Sequence, residues 1–202
     1  MAAGTVFWDV DTQVDFLHPD GKLYVPGAER ILPNLQRLTA WAHKNRILIV
    51  ASADAHQKGD EEFKLYPPHC LAGTPGQKKV PETLLWNQAV LPNRPAELPA
   101  DLETVGQVIL EKQKFDVFTN PNTEALLGRL GKDVEIVLYG VVTEICVAAA
   151  ARGLLERGYR LRLVRDAVHH LEGPKARALF EEVEEGGGRL VTTDEACSNP
   201  KR

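Results

Sequence analysis

Cysteine is scarce in this chain, three residues in 202. So small and odd a number excludes a disulfide framework as the source of stability. No apolar run approaches the roughly 20 residues that a membrane-spanning helix needs, and no charged-then-apolar leader opens the chain. No block of Lys and Arg stands out, and 24 basic against 28 acidic residues leave a net charge of −4, which argues against nucleic acid as a partner. No internal repeat is visible. What these absences leave is a cytoplasmic globular protein whose thiols stay reduced, with neither a membrane nor a nucleic acid as partner. Its 202 residues suit a single domain spanning 1–202 with a sizeable core, and 44% hydrophobic with 26% charged residues is ordinary for that class.

Strand and helix patterns alternate. Residues 5–10 open as a β-branched and aromatic strand. Residues 28–45 carry Ile31, Leu32, Leu35, Leu38 and Ala42 at helical spacing, with Pro33 tolerable near the helix start. Further strands are predicted at 46–52, 107–111, 134–141, 160–164 and 189–192. Further helices are predicted at 123–130, from Cys146 to near Gly158, and at 174–185, where Gly186, Gly187 and Gly188 form a stop. The alternation implies an α/β three-layer sandwich: a central, mostly parallel six-stranded sheet covered on both faces. The connection at about 54–106 is long and aperiodic, and such a connection in a compact domain usually carries function.

Ligands of open α/β sheets bind outside the carboxyl ends of the strands. The notable polar residues fall there: Asp11 after the first strand, Asp54 and His56 after the second, Lys112 after the third and Cys146 after the fourth. Thr143 is a good N-cap and Glu144 suits the positive end of a helix dipole. Cys146 then falls in the first turn, where free N–H groups and the dipole favour thiolate. Its plainer reading is a small core residue. A carboxylate beside a thiol takes its proton, and a lysine beside both keeps the carboxylate ionised. Asp11 also reads as a turn residue, and Lys112 as a surface charge with Lys114 as its rival. Asp54, His56 and the later His69, in Pro67-Pro68-His69-Cys70, supply one carboxylate and two imidazoles. That set suits Zn²⁺ or another divalent ion, with Fe or Mn as alternatives, and Glu62 offers a further oxygen. The plainer reading there is a turn cap and exposed histidines. Cys70 and Cys197 have no evident role.

These segments together resemble the isochorismatase-like cysteine hydrolases, and within them the nicotinamidases, over nearly the whole chain. Asp11-Thr12-Gln13-Val14-Asp15-Phe16 is similar to the family's Asp-x-Gln-x-Asp-Phe opening, whose first Asp is the catalytic acid/base. Lys112, six residues before Phe118, stands where the family has its catalytic lysine. Gly140-Val141-Val142-Thr143-Glu144-Ile145-Cys146-Val147 resembles the nucleophile segment, with Glu144 where Asp is commoner. The resemblance implies a cis Val141–Val142 peptide and an oxyanion hole from the N–H groups of Val142 and Cys146. Asp54-Ala55-His56 with Pro67-Pro68-His69-Cys70 and Gly73-Thr74-Pro75-Gly76 resembles the nicotinamidase metal pattern, with Tyr66 where Trp often stands. The implied reaction is nicotinamide plus water to nicotinate plus ammonia. Phe16 and Tyr66 suit the walls of a flat ring. The resemblance also implies a small-molecule amide as partner, and self-association into a homo-oligomer. The alternatives are another amide or carbamoyl hydrolase, or an isochorismatase-type hydrolase, of the same fold and thiol, and a non-catalytic metal-binding protein.

Overall fold

The run Thr5–Val10 alternates side chains between two apolar surroundings and forms β1, the middle strand of the sheet. Trp8 and Val10 point into one core with Leu126, Leu154 and Leu179, whereas Phe7 points into another with Leu35, Leu38 and Ala42. These two cores separate the three layers. A computed structural model of the chain describes residues 4–102 and 104–198. The ends of the 1–202 span expected to form one domain lie outside the described residues, as does residue 103.

After β1 come a single helical turn α1 (Val14–Leu17), a 3₁₀ turn Ala28–Ile31 and helix α2 (Leu32–Lys44). Pro33 falls at the start of α2, where a missing N–H costs nothing. Full burial of Leu35 and Leu38 contributes about 1.5–3 kcal/mol each. The next strand, β2, covers Ile49–Asp54 rather than the expected 46–52. Arg46 takes φ +55°, and Ile47 N–H returns to Ala42 O at 2.9 Å, so residues 46–48 finish the helix before the strand begins. The later start carries β2 to Asp54.

The long connection is less irregular than the sequence suggests. It contains 3₁₀ turns at Glu61–Lys64, Pro75–Gln77 and Pro81–Thr83, then a short strand β3 (Gln88–Leu91). Among the described residues the sheet therefore has seven strands, not six. Next follow β4 (Gln107–Lys112), α3 (Thr123–Leu130), β5 (Glu135–Val141), α4 (Ala148–Glu156), β6 (Arg160–His169), α5 (Gly173–Glu185), β7 (Arg189–Val191) and α6 (Thr193–Ala196). The strand order is β3-β4-β2-β1-β5-β6-β7 and every pairing is parallel. β6 runs five residues past its expected end at 164, beyond a register shift against β5. Strand order reverses between β1 and β5, which makes a crevice at their carboxyl ends. Among the described residues no helix is long and apolar enough to cross a membrane.

Candidate active site

Register places the polar residues. Asp54 and Lys112 are partners across the β2–β4 pair, both the last residues of their strands. Val10 pairs with Gly140, so the residues after β1 and after β5 emerge side by side at the crevice. Gly140 has φ +123°, and a Cβ there would stand 2.1 Å from Val10 O. Only glycine permits this approach of the two strands.

Asp11 follows β1 at φ +49°, its carboxylate 1% exposed. Ser52 Oγ donates to its Oδ1 at 2.7 Å, and Lys112 Nζ lies 2.8 Å from Oδ2. The same ammonium donates to Asp54 Oδ1 at 2.5 Å and reaches Cys146 Sγ at 3.8 Å. The three residues predicted as a catalytic unit therefore meet in one buried cluster. Lys114 is exposed. Burial pulls Lys112 toward the neutral form, but Asp11 and Asp54 outweigh it and hold the ammonium well above its usual range.

Two local expectations are corrected. Thr143 is not an N-cap: the cap position is Val142, without a side-chain bond, and Thr143–Val147 forms a π-helical turn leading into α4. Thr143 lies buried within that turn. The cis peptide does join Val141 and Val142. The thiol of Cys146 is also not depressed toward thiolate. Burial pushes it well above its usual value; Lys112 pulls it down, and Asp11 and Asp54 push it up. The helical turn and lysine do not offset desolvation, so the resting group is the thiol, with Asp11 placed to receive its proton.

Asp54, His56 and His69 form a second cluster, all buried, with ligand atoms within 4.8 Å of one another. His56 Nδ1 bonds Asp60 Oδ2 at 2.9 Å and His69 Nδ1 bonds Pro67 O at 2.9 Å. A ring nitrogen facing a carbonyl or carboxylate carries its proton, which leaves the lone pair on each Nε2. Both Nε2 atoms are buried without a hydrogen-bond partner among the described residues. Two unpartnered acceptors beside a carboxylate fit a divalent cation. Glu62 faces them, 3.6 Å from His69 Nε2 and 3.9 Å from His56 Nε2. Burial keeps His69 below its usual pKa, hence neutral and able to ligate. Burial also raises Asp54 to about 6, with Lys112 opposing.

Both clusters open into one cleft, whose wall includes Asp11 and Cys146 of the first and Asp54 and His69 of the second. Phe16 and Tyr66 line it as expected, with Phe16 against the His69 ring at 5.4 Å. Phe115, Ile145 and Leu171 also line it, and the sequence offered no pattern that marked them. Gln13 lay inside the opening motif without an assigned role. Its amide bonds both backbone groups of Asp54, N–H at 2.7 Å and O at 2.8 Å, and so fixes the end of β2.

The isochorismatase-domain family model matches residues 6–195. The chain belongs to the isochorismatase family. It is a family hydrolase of the established fold. Its relatives include an uncharacterized isochorismatase family protein PncA of Bacillus subtilis, 28% identical over 79% of this chain and 82% of that protein. Maleamate amidohydrolase of Pseudomonas putida is 26% identical over 93% of this chain and 82% of its own length. Among solved structures, pyrazinamidase of Pyrococcus horikoshii in complex with zinc is 27% identical, with a TM-score of 0.75 over 93% of this chain and 98% of that one.

Proposed function

We propose that the protein is a nicotinamidase, hydrolysing nicotinamide to nicotinate and ammonia through a thioester on Cys146. One observation carries the reading: the thiol cluster and the metal-fitting cluster share one cleft, so a single small ring can face both. The solved pyrazinamidase relative, a complex with zinc, supports it. The carboxylates on the cleft wall are Asp11, Asp54 and Glu62, and among the described residues no Arg or Lys lines it. That wall suits a neutral amide better than one bearing a carboxylate, such as maleamate.

In this mechanism Cys146 Sγ attacks the carboxamide carbon as Asp11 accepts the thiol proton. The N–H groups of Val142 and Cys146 receive the developing oxyanion. Asp11 returns the proton to the departing nitrogen, the C–N bond breaks, and ammonia leaves a nicotinoyl thioester. Water then attacks the acyl carbon as Asp11 takes its proton. Collapse releases nicotinic acid, which loses its remaining proton to solvent as nicotinate, and the thiolate, which Asp11 reprotonates. Lys112 pairs with the Asp11 carboxylate at 2.8 Å and holds it in place beside the thiol. Asp54, His56 and His69, with Glu62 beside them, would hold a divalent ion, zinc fitting the donor set; when bound it supplies a template for the ring nitrogen. Phe16 and Tyr66 wall the ring. The test is ammonia release from a panel of nicotinamide, pyrazinamide, benzamide, maleamate and a carbamoyl amine. Nicotinamide and pyrazinamide are expected to lead, with benzamide, which lacks the ring nitrogen, well behind. Fastest turnover of maleamate or the carbamoyl compound would reject the reading.

A further inference from the structure

Two charged side chains lie inside the protein and outside the cleft. Asp9 on β1 and Lys79 in the long connection meet at 2.9 Å, with side chains 1% and 2% exposed. Neither lines the cleft. A buried ion pair is a costly way to join two segments, because both ions give up water, and apolar residues of similar size often stabilise as well or better. What such a pair does supply is directional register. Here the register concerns the turn after β1. Lys79 Nζ donates to Thr12 Oγ1 at 2.9 Å, and the Thr12 hydroxyl donates to Asp9 Oδ2 at 3.0 Å and meets Thr83 Oγ1 at 2.8 Å. The backbones run together as well. Gln13 bridges Lys79, Val14 N–H donates to Lys78 O at 2.9 Å, and Val80 N–H donates to Thr12 O at 2.9 Å.

Thr12 and Gln13 directly follow Asp11, whose φ of +49° is a conformation that a non-glycine residue holds when its surroundings impose it. The Gln13 N–H donates to Asp11 O at 2.8 Å and tightens the same turn. We infer that Asp9 and Lys79 are positioning residues: their buried ion pair, tied through Thr12, fixes the turn that presents the Asp11 carboxylate to Cys146. The inference rests on reading Asp11 as the proton acceptor of the thiol. It does not depend on which amide is the substrate.

The test is the double variant Asp9→Asn with Lys79→Met, which removes both charges and nearly preserves volume. The readout is the rate at which iodoacetamide alkylates Cys146, followed on the Cys146 peptide by mass spectrometry and needing no substrate. The melting temperature should stay within a few degrees of wild type. Alkylation should slow about tenfold, and kcat on whichever amide the wild type hydrolyses should fall by a similar factor, with KM within about twofold. Asp11→Asn alone should slow alkylation at least as much, and adding the double variant to it should slow alkylation no further, because the group being positioned is gone. A purely structural pair would instead leave the alkylation rate of the folded double variant unchanged, and that result overturns the inference. If the double variant does not fold, Thr12→Val decides. It keeps the ion pair and removes the hydroxyl that ties it to the turn. Slower alkylation supports the positioning role, and an unchanged rate overturns it. If Asp11→Asn itself leaves alkylation unaffected, the reading of Asp11 falls, and the positioning role falls with it.

Discussion

Replacing Lys112 with Met leaves two buried carboxylates facing each other without their cation. Lys112 Nζ lies 2.8 Å from Asp11 and 2.5 Å from Asp54, and all three side chains are at most 5% exposed. Removing one partner of a buried ion pair costs about 3–5 kcal/mol. In a domain of this size each kcal/mol moves the melting temperature by about 2–4 °C, so a fall of about 6–20 °C is expected. The deficit should depend on pH. Burial already raises Asp54 to about 6 with the lysine opposing it, and without the lysine Asp54 is raised further. An acid whose folded pKa is raised stabilises the fold at low pH, and that contribution is lost as pH rises through the folded value. The variant should therefore lie closest to wild type at pH 5 and furthest from it at pH 8. Turnover should drop about a hundredfold or more, since the base and thiol lose their shared partner. Thermal unfolding in chelator, at both pH values, reads the stability, and ammonia release reads the turnover. Lys114→Ala, at an exposed position, should change stability by no more than about 0.5 kcal/mol. A Lys112→Met protein that melts and turns over like wild type, with Lys114→Ala inactive, would refute the reasoning.

Gly140→Ala should cost about 4 kcal/mol or more, since its Cβ would stand 2.1 Å from Val10 O and 2.7 Å from Val10 N in the central strand. Gly128→Ala on α3, with open space around its Cβ, should instead stabilise by about 0.5–1 kcal/mol, and urea unfolding separates the two. Zinc affinity, measured by competition with a chromophoric chelator, should fall as pH drops through about 6, where Asp54 takes up a proton. His69, held below its usual pKa by burial, should not be the limiting ligand.

Much of the site was legible because strand ends and site residues coincide in a parallel sheet. Asp11, Asp54 and Lys112 stand at or just past the ends of apolar strands, Cys146 follows in the turn after β5, and the sheet brings those ends together. The boundaries were less legible. β2 starts at Ile49 because the exit from α2 uses residues 46–48, a competition between capping and extension that β-branched composition does not reveal. β3 is four residues of which only Leu91 is buried, too short to announce a period. Phe115 and Leu171 reach the cleft from irregular segments, where spacing has no meaning. The protonation of Cys146 was misread because position in a helical turn is local, whereas desolvation comes from the whole core. Asp9 and Lys79 lie 70 residues apart in sequence, and only the folded chain brings them together.

The central claim is covalent catalysis at Cys146, and acid quenching during steady turnover tests it most directly. Peptide mapping by mass spectrometry of wild type turning over nicotinamide should find a nicotinoyl group on the Cys146 peptide and none on those of Cys70 and Cys197. Cys146→Ala should release no ammonia while keeping its fold. Steady ammonia release from Cys146→Ala, or an acyl group found only on Cys70 or Cys197, would contradict the account.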